Sequence, residues 1–339
     1  MVKLVKMLFF NSMMMGTLIT ISAHSWISAW IGLEINLLSF IPLLKSNKNL
    51  FPIEAALKYF IVQAMGSSLT LFSILIFLIK NEQVPNNGPN FMVIHLLASA
   101  LLLKMSAAPF HSWLPEVMNG LNWINNFILM TWQKIGPILL LSYTIKMYTL
   151  FFSIIILISS VISGLQGLNQ TALQKIMAYS SINHISWMIS SLFNSTNICI
   201  YYFIIYCIIN ASIIYILNNH NISQLKQLME IFNSNKMIKF FFMLNFLSLG
   251  GLPPFLGFLP KWLVINYMID NQYYSLAGML IIFTLISLYF YLRITFSSFT
   301  IYSKETLIIL FNKINYFNFM INLFALMGLI TCSTLYTQM

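Results

Sequence analysis

Apolar runs follow one another along nearly the whole chain, interrupted by short polar clusters such as KSNKN at 45–49 and KNEQVPNNGPN at 80–90. Most runs are about 18 to 25 residues long, the length at which a helix crosses a hydrocarbon layer roughly 30 Å thick. Their uniform apolarity does not match the alternating pattern of a membrane barrel strand, so each run reads as a helix whose backbone groups bond within the segment. The pattern predicts an all-α polytopic membrane protein. Eleven spans are expected, at about 7–23, 26–44, 53–79, 91–117, 123–146, 148–168, 173–192, 198–218, 237–269, 274–300 and 316–335. The opening MVKLVKMLFFNSMMMGTLIT has basic residues ahead of an apolar run, but no small-residue cleavage site follows, and it reads as a retained span.

The fourth and ninth runs are too long and too rich in proline to be single straight helices. The first contains APFHSWLPE, ending at Glu116, and the second PPFLGFLPK, ending at Lys261; both fit the pattern P-F-x-x-[WF]-L-P-[EK] at an offset of 145 residues (254 − 109). That offset corresponds to five spans, and an odd number of spans inverts a unit in the membrane. The reading is therefore a single membrane domain over 1–339, made of two inverted five-helix repeats at about 7–146 and 148–300 with an extra helix at about 316–335. Each repeat is expected to carry a broken helix, at Pro109 and Pro115 in one and at Gly250, Gly251, Pro253, Pro254 and Pro260 in the other. Backbone opened at membrane depth is tolerated only where protein or water satisfies it, so both breaks should face the interior.

Composition narrows the chemistry. Of 339 residues, 59% are hydrophobic and 7% charged, which excludes an ordinary soluble domain. The net charge of +10 comes from lysines scattered singly, not from a basic stripe of the kind that binds nucleic acid. Topology accounts for them instead: alternating the loops gathers Lys3, Lys6, Lys45, Lys48, Lys226, Lys236, Lys304 and Lys313 on one side, against Lys80 and Lys146 on the other. The cysteines, Cys199, Cys207 and Cys332, make no disulfide framework, since the first two stand about 12 Å apart along one helix. No cysteine cluster, GxGxxG or phosphate loop occurs, so no redox cofactor, nucleotide or metal site is expected in this chain.

Against so few charges, four ionisable groups within or beside apolar segments are conspicuous: Glu34 in WIGLEINLLSFIP, Lys104 in LLLKMSAAPFHSW, Lys134 in TWQKIGP, and Lys261 after the second break. A charge at the bilayer centre costs at least about 2.5 to 3.5 kcal/mol, so these groups should face inward and find partners. A buried lysine and a carboxylate whose separation changes would alter their hold on a proton. On that logic Glu34 and Lys104 are a candidate pair, with Lys134 the next carrier and Lys261 an exit or hand-over site. His184, Tyr179, Ser180 and Ser181, in KIMAYSSINHISWM, are candidates for a relay between Lys134 and Lys261, while His111 either joins it or caps a broken helix end. Lys58, Lys175 and Lys239, near span ends, read as snorkelling side chains, and Glu54 and Glu116 as surface positions.

As an ordered set, WIGLEINLLSFIP, EAALKYF, LKMSAAPFHSWLPEV, TWQKIGP, GLNQTALQKIMAYSSINHISWM and LSLGGLPPFLGFLPKW resemble the NADH dehydrogenase subunit 2 family, the mitochondrially encoded antiporter-like membrane subunits of respiratory complex I. The resemblance spans about residues 30 to 262. It implies a two-repeat proton channel of the short animal form, whose loss of three helices leaves eleven, and it carries the family's carboxylate onto Glu34 and its channel lysines onto Lys104, Lys134 and Lys261. It further implies the mitochondrial inner membrane, with the N-terminus in the matrix and the C-terminus in the intermembrane space. Partners would be other membrane-arm subunits, antiporter-like ones among them, accessory subunits and phospholipids, and no nucleic acid. NADH, FMN, iron–sulfur clusters and ubiquinone would belong to the rest of the complex. The composition, with Arg293 the one arginine, fits an AT-rich organellar genome of the insect kind. A stand-alone cation/proton antiporter and a non-conducting structural subunit are the alternatives to a proton-translocating role.

Overall fold

The computed structural model describes residues 2–45, 50–83, 91–145, 148–193, 195–228 and 236–299. The expected eleventh span, together with Lys48, Lys146, Lys304, Lys313 and Cys332, lies outside them. The described residues form thirteen α-helices and no strand, with one isolated antiparallel bridge between Ala172 and Gln224. They divide into two compact units at Thr149/Leu150. Among the described residues six helices are long and apolar enough to cross a membrane.

The first unit contains α1 (Val2–Ile21), α2 (Trp26–Leu44), α3 (Phe51–Gln83), α4 (Phe91–Met105), α5 (Trp113–Gly120), α6 (Trp123–Met130) and α7 (Trp132–Ile145). Ser25 caps α2, sharing reciprocal hydrogen bonds with Ser28 in a capping box. The helix pair α1 and α2 touches backbone to backbone: a Cβ on Gly32 would lie 2.8 Å from Gly16 O and Thr20 N, and one on Gly16 would lie 2.8 Å from Asn36 N. Small residues that let helix backbones meet substitute in lipid for the hydrophobic drive available in water. The segment expected as one span at 123–146 is divided at Thr131, whose hydroxyl turns back to Phe127 O at 2.7 Å, and Pro137 removes a further backbone donor from α7.

The second unit contains α8 (Thr149–Leu168), α9 (Leu173–Leu192), α10 (Thr196–His220), α11 (Lys236–Gly250), α12 (Phe258–Asp270) and α13 (Tyr274–Phe299). Helix α9 is buried along almost its whole length despite its serines, Asn183 and His184. Around it lies an aromatic core in which Phe246 packs against Phe242 and Tyr291. Arg293, on α13, donates to Leu168 O at 2.5 Å and Gln170 O at 2.7 Å, so the lone guanidinium closes the carboxyl end of α8.

Outward-facing positions such as Leu8, Leu57, Ile61, Phe72, Ile154, Ile282 and Leu285 are exposed and apolar, as a bilayer requires. The two long proline-bearing runs are each split, α4 from α5 and α11 from α12. Their facing matches the expectation that the breaks point inward only in part: Pro115, Gly250 and Pro260 are buried with the helix ends around them, whereas Pro109, Phe110 and Glu116 are exposed, as are Pro253 and Pro254. The exposed prolines have no N–H to satisfy, so they can stand outermost.

Gly32→Val is expected to force α1 from α2 and to lower the thermal stability of the detergent-solubilised protein by about 1–3 kcal/mol, as overpacking does. Melting with a thiol-reactive or intrinsic tryptophan probe reads this, and an unchanged transition would show that the close crossing is not needed.

Candidate functional site

The two breaks share their helix bounds and the turns that close the helix ends. Helix α4 ends at Met105 and α5 begins at Trp113; α11 ends at Gly250 and α12 begins at Phe258, so both bounds recur at the offset of the sequence motif. The residue after each helix end has positive φ, 64° at Ser106 and 79° at Gly251. Ser106 N bonds Leu103 O at 3.1 Å and Ala107 N bonds Leu102 O at 3.0 Å; Gly251 N bonds Ser248 O at 3.0 Å and Leu252 N bonds Leu247 O at 3.4 Å. Each pair is a Schellman closure, which satisfies two of the four carbonyls a helix end leaves open.

The remaining carbonyls are met differently. At the end of α4, Leu103 O also accepts from Trp113 Nε1 at 3.2 Å, Lys104 O accepts from Gln63 Nε2 at 3.4 Å, and Met105 O accepts from the Ser106 hydroxyl. At the end of α11 one ammonium serves both: Lys261 Nζ donates to Gly250 O at 2.8 Å and to Leu249 O at 3.4 Å. Lys261 is buried and its Nζ stands 5.9 Å over the Trp187 ring. Helix-end carbonyls and an aromatic face together stabilise a cation for which no carboxylate lies within ion-pair distance among the described residues. Gly251 fits this arrangement twice over, since its φ suits glycine and a Cβ there would stand 2.9 Å from Lys261 Nζ.

In the first unit Lys104 and Lys134 are 7% and 2% exposed, and both line one cavity of about 20 Å³, enough for one water. Its other polar walls are Asn36, Tyr59, Gln63, Gln133 and Ser106. Leu33, Asn36 and Leu37 supply the α2 face of this cavity, at helical spacing. Glu34 lies a quarter-turn off that face: it acts electrostatically on Lys104 but is not within 4.0 Å of it, and its Oε1 is buried without a hydrogen-bond partner among the described residues. Among the described residues one ion pair forms: Lys58, read from sequence as a snorkelling side chain, meets Glu116 at 2.6 Å, both about half exposed.

Of the other candidates, His111 contacts Pro109 O through Nδ1 at 3.2 Å, inside the first break. His184 Nδ1 meets Tyr202 Oη at 2.8 Å, and its ring lies 4.9 Å from that of Tyr206. Ser180 and Ser181 donate to Met177 O and Ala178 O of their own helix, and Tyr179 packs beside Gly167. Among the described residues no three His, Cys, Asp or Glu side chains gather as metal ligands. Asn36, Tyr59, Gln63, Gln133, Trp187 and Tyr202 were not singled out from the sequence. Their polar groups within apolar helices were the available signal, strongest for Gln133 beside Lys134.

The model of the family described as NADH:quinone oxidoreductase/Mrp antiporter, TM, matches residues 23–288, which include both breaks and Glu34, Lys104, Lys134 and Lys261. The chain is 46% identical over 340 residues to NADH-ubiquinone oxidoreductase chain 2 of Anopheles gambiae, covering 98% of each chain. It is 47% identical over 302 residues to the same-named chain of Locusta migratoria, covering 88% of this chain and 87% of that one. The chain belongs to the NADH-ubiquinone oxidoreductase chain 2 family. A chain of respiratory complex I from Thermus thermophilus has the same fold at a TM-score of 0.83 and 21% identity, over 96% of this chain and 78% of that one. As a member of this family it is a multi-pass membrane protein.

Backbone strain separates the two breaks experimentally. Gly251→Ala introduces left-handed strain together with a clash at Lys261 and should lower thermal stability by about 1–3 kcal/mol, whereas Ser106→Gly offsets about 1 kcal/mol of relieved strain against the lost hydroxyl bond to Met105 O and should change it by less than about 1 kcal/mol. Thermal inactivation curves of the detergent-solubilised protein measure both, and an equal loss in the two variants would refute the account of the turns.

Proposed function

We propose that the chain is a proton-translocating membrane-arm subunit of NADH:ubiquinone oxidoreductase, complex I, driven by quinone reduction elsewhere in the complex. The relatives' name and the family match support membership of that oxidoreductase. The observation that carries the proton role is the shared cavity of Lys104 and Lys134: two amines buried together, walled by groups able to accept or donate a proton-bearing hydrogen bond. Glu34, electrostatically coupled to Lys104 without being bonded to it, is placed to change that amine's hold on a proton if the distance between them changes. Lys261, clasped on helix-end carbonyls, is the proposed hand-over site of the second unit, and His184 with Tyr202 a candidate relay element there. His111, Tyr179, Ser180 and Ser181 remain in the proposal as lesser members.

The repeated closure of two helix ends at one offset favours the reading of two inverted repeats within an eleven-span domain. The proposed setting is the mitochondrial inner membrane, N-terminus in the matrix and C-terminus in the intermembrane space, beside other antiporter-like and accessory subunits and phospholipids. NADH, FMN, iron–sulfur clusters and ubiquinone are assigned to other parts of the complex. A stand-alone cation/proton antiporter is the second reading, favoured by a family description that also names Mrp antiporters; purification of the chain without flavin and iron–sulfur subunits would support it.

In the assembled complex, Lys134→Met is expected to preserve NADH oxidation by a soluble electron acceptor and to lower the number of protons moved per electron. Reconstituted vesicles with a pH-sensitive dye give that ratio. A ratio equal to the parent's would remove Lys134 from the route and favour a structural role.

A further inference from the structure

The amide of Gln133 is held from both sides. Its Nε2 donates to Asn36 Oδ1 at 3.0 Å, and its Oε1 accepts from the Tyr59 hydroxyl at 3.4 Å. These are contacts across α7, α2 and α3, so one short chain of neutral groups ties three helices together on the wall of the cavity that Lys104 and Lys134 share. Tyr59 cannot swing away. Its ring packs edge-on against Phe40 at 5.3 Å and against Trp113 at 6.0 Å, and it is 3% exposed. Asn36 is equally enclosed.

We propose that Tyr59 and Gln133 are positioning residues for proton passage between Lys104 and Lys134: they orient a single water in the cavity so that it bridges the two amines. The proposal rests on the proton-translocating reading and names how its first two lysines communicate. Two ammonium groups facing one small cavity repel, so a productive state has one charged and one neutral amine. An N–H bond of the charged amine breaks as an O–H bond forms on the water, while another O–H of that water breaks as an N–H bond forms on the neutral amine. One proton crosses, the water is regenerated, and no electron pair is gained or lost. The Tyr59 hydroxyl gives its hydrogen to Gln133, which leaves its oxygen free to accept from a water in the cavity that Tyr59 lines. The amide, bonded through Nε2 to Asn36 Oδ1, keeps its Oε1 on that hydroxyl. A water held by an acceptor keeps a defined orientation, and a fixed orientation is what proton transfer through one molecule requires.

The test uses the intact complex, reconstituted in vesicles. Tyr59→Phe deletes the hydroxyl and keeps the ring against Phe40 and Trp113; Gln133→Met deletes the amide and leaves the aromatic packing untouched. Each is expected to slow proton passage about tenfold, the effect of leaving one buried hydrogen-bonding group without its partner. Protons delivered per electron should fall and the deuterium solvent isotope effect on pumping should rise, with electron transfer to a soluble acceptor unchanged. The double variant should be no worse than the more severe single one, because the pair acts as a unit. A merely structural role would lower assembly and electron transfer together and leave the isotope effect unmoved. Parental ratio and isotope effect in Tyr59→Phe and Gln133→Met overturn the proposal. If Lys134→Met lowers the ratio in the same preparations, the proton-translocating reading stands without it.

Discussion

A helix interrupted at membrane depth leaves four carbonyls that lipid cannot satisfy, and the organisation of both halves of this chain follows from that obligation. At the end of α4 the four are met by two backbone amides, the Ser106 hydroxyl, Trp113 and Gln63. At the end of α11 the same two backbone amides recur, and Lys261 supplies the rest. The buried lysines are therefore not additions to a finished scaffold. Lys261 is held where it is because the helix end needs it, and Lys104 is the last-turn residue whose own carbonyl recruits Gln63 to the cavity wall.

The two halves solve one problem with opposite electrostatics. The residue that ends the first motif is Glu116, exposed and paired with Lys58; the residue that ends the second is Lys261, buried and facing carbonyls. A neutral closure at the first break leaves the Lys104 amine available to the cavity. The ammonium closure at the second commits Lys261 to the backbone, so that moving its proton also disturbs the helix end. A side-chain charge and a helix end are joined more tightly in the second unit than in the first.

The apolar helical character was legible because length and apolarity are properties of contiguous residues, and the second break was legible because Gly250, Gly251 and the prolines announce it. The first was visible only through Pro109 and Pro115: the left-handed residue there is Ser106, a type that ordinarily avoids that conformation and gives no signal. The pairing of Glu34 with Lys104 followed from the need of a buried charge for a partner, but helical geometry puts Glu34 a quarter-turn from the cavity face, and polar neutral groups surround the lysine instead. The Asn36–Gln133–Tyr59 chain joins residues 74 and 97 positions apart, and no local pattern encodes such contacts. Where a feature depended on period or punctuation it could be read; where it depended on which helices become neighbours it could not.

The contrast between the Lys58–Glu116 pair and the Lys261 clasp reaches beyond geometry. The first is a bond between two full charges at an exposed edge, open to mobile counterions, and its strength varies with the surrounding electrolyte. The second joins an enclosed cation to uncharged oxygens that counterions neither reach nor replace. Ionic strength is thus a selective handle, loosening one closure while sparing the other.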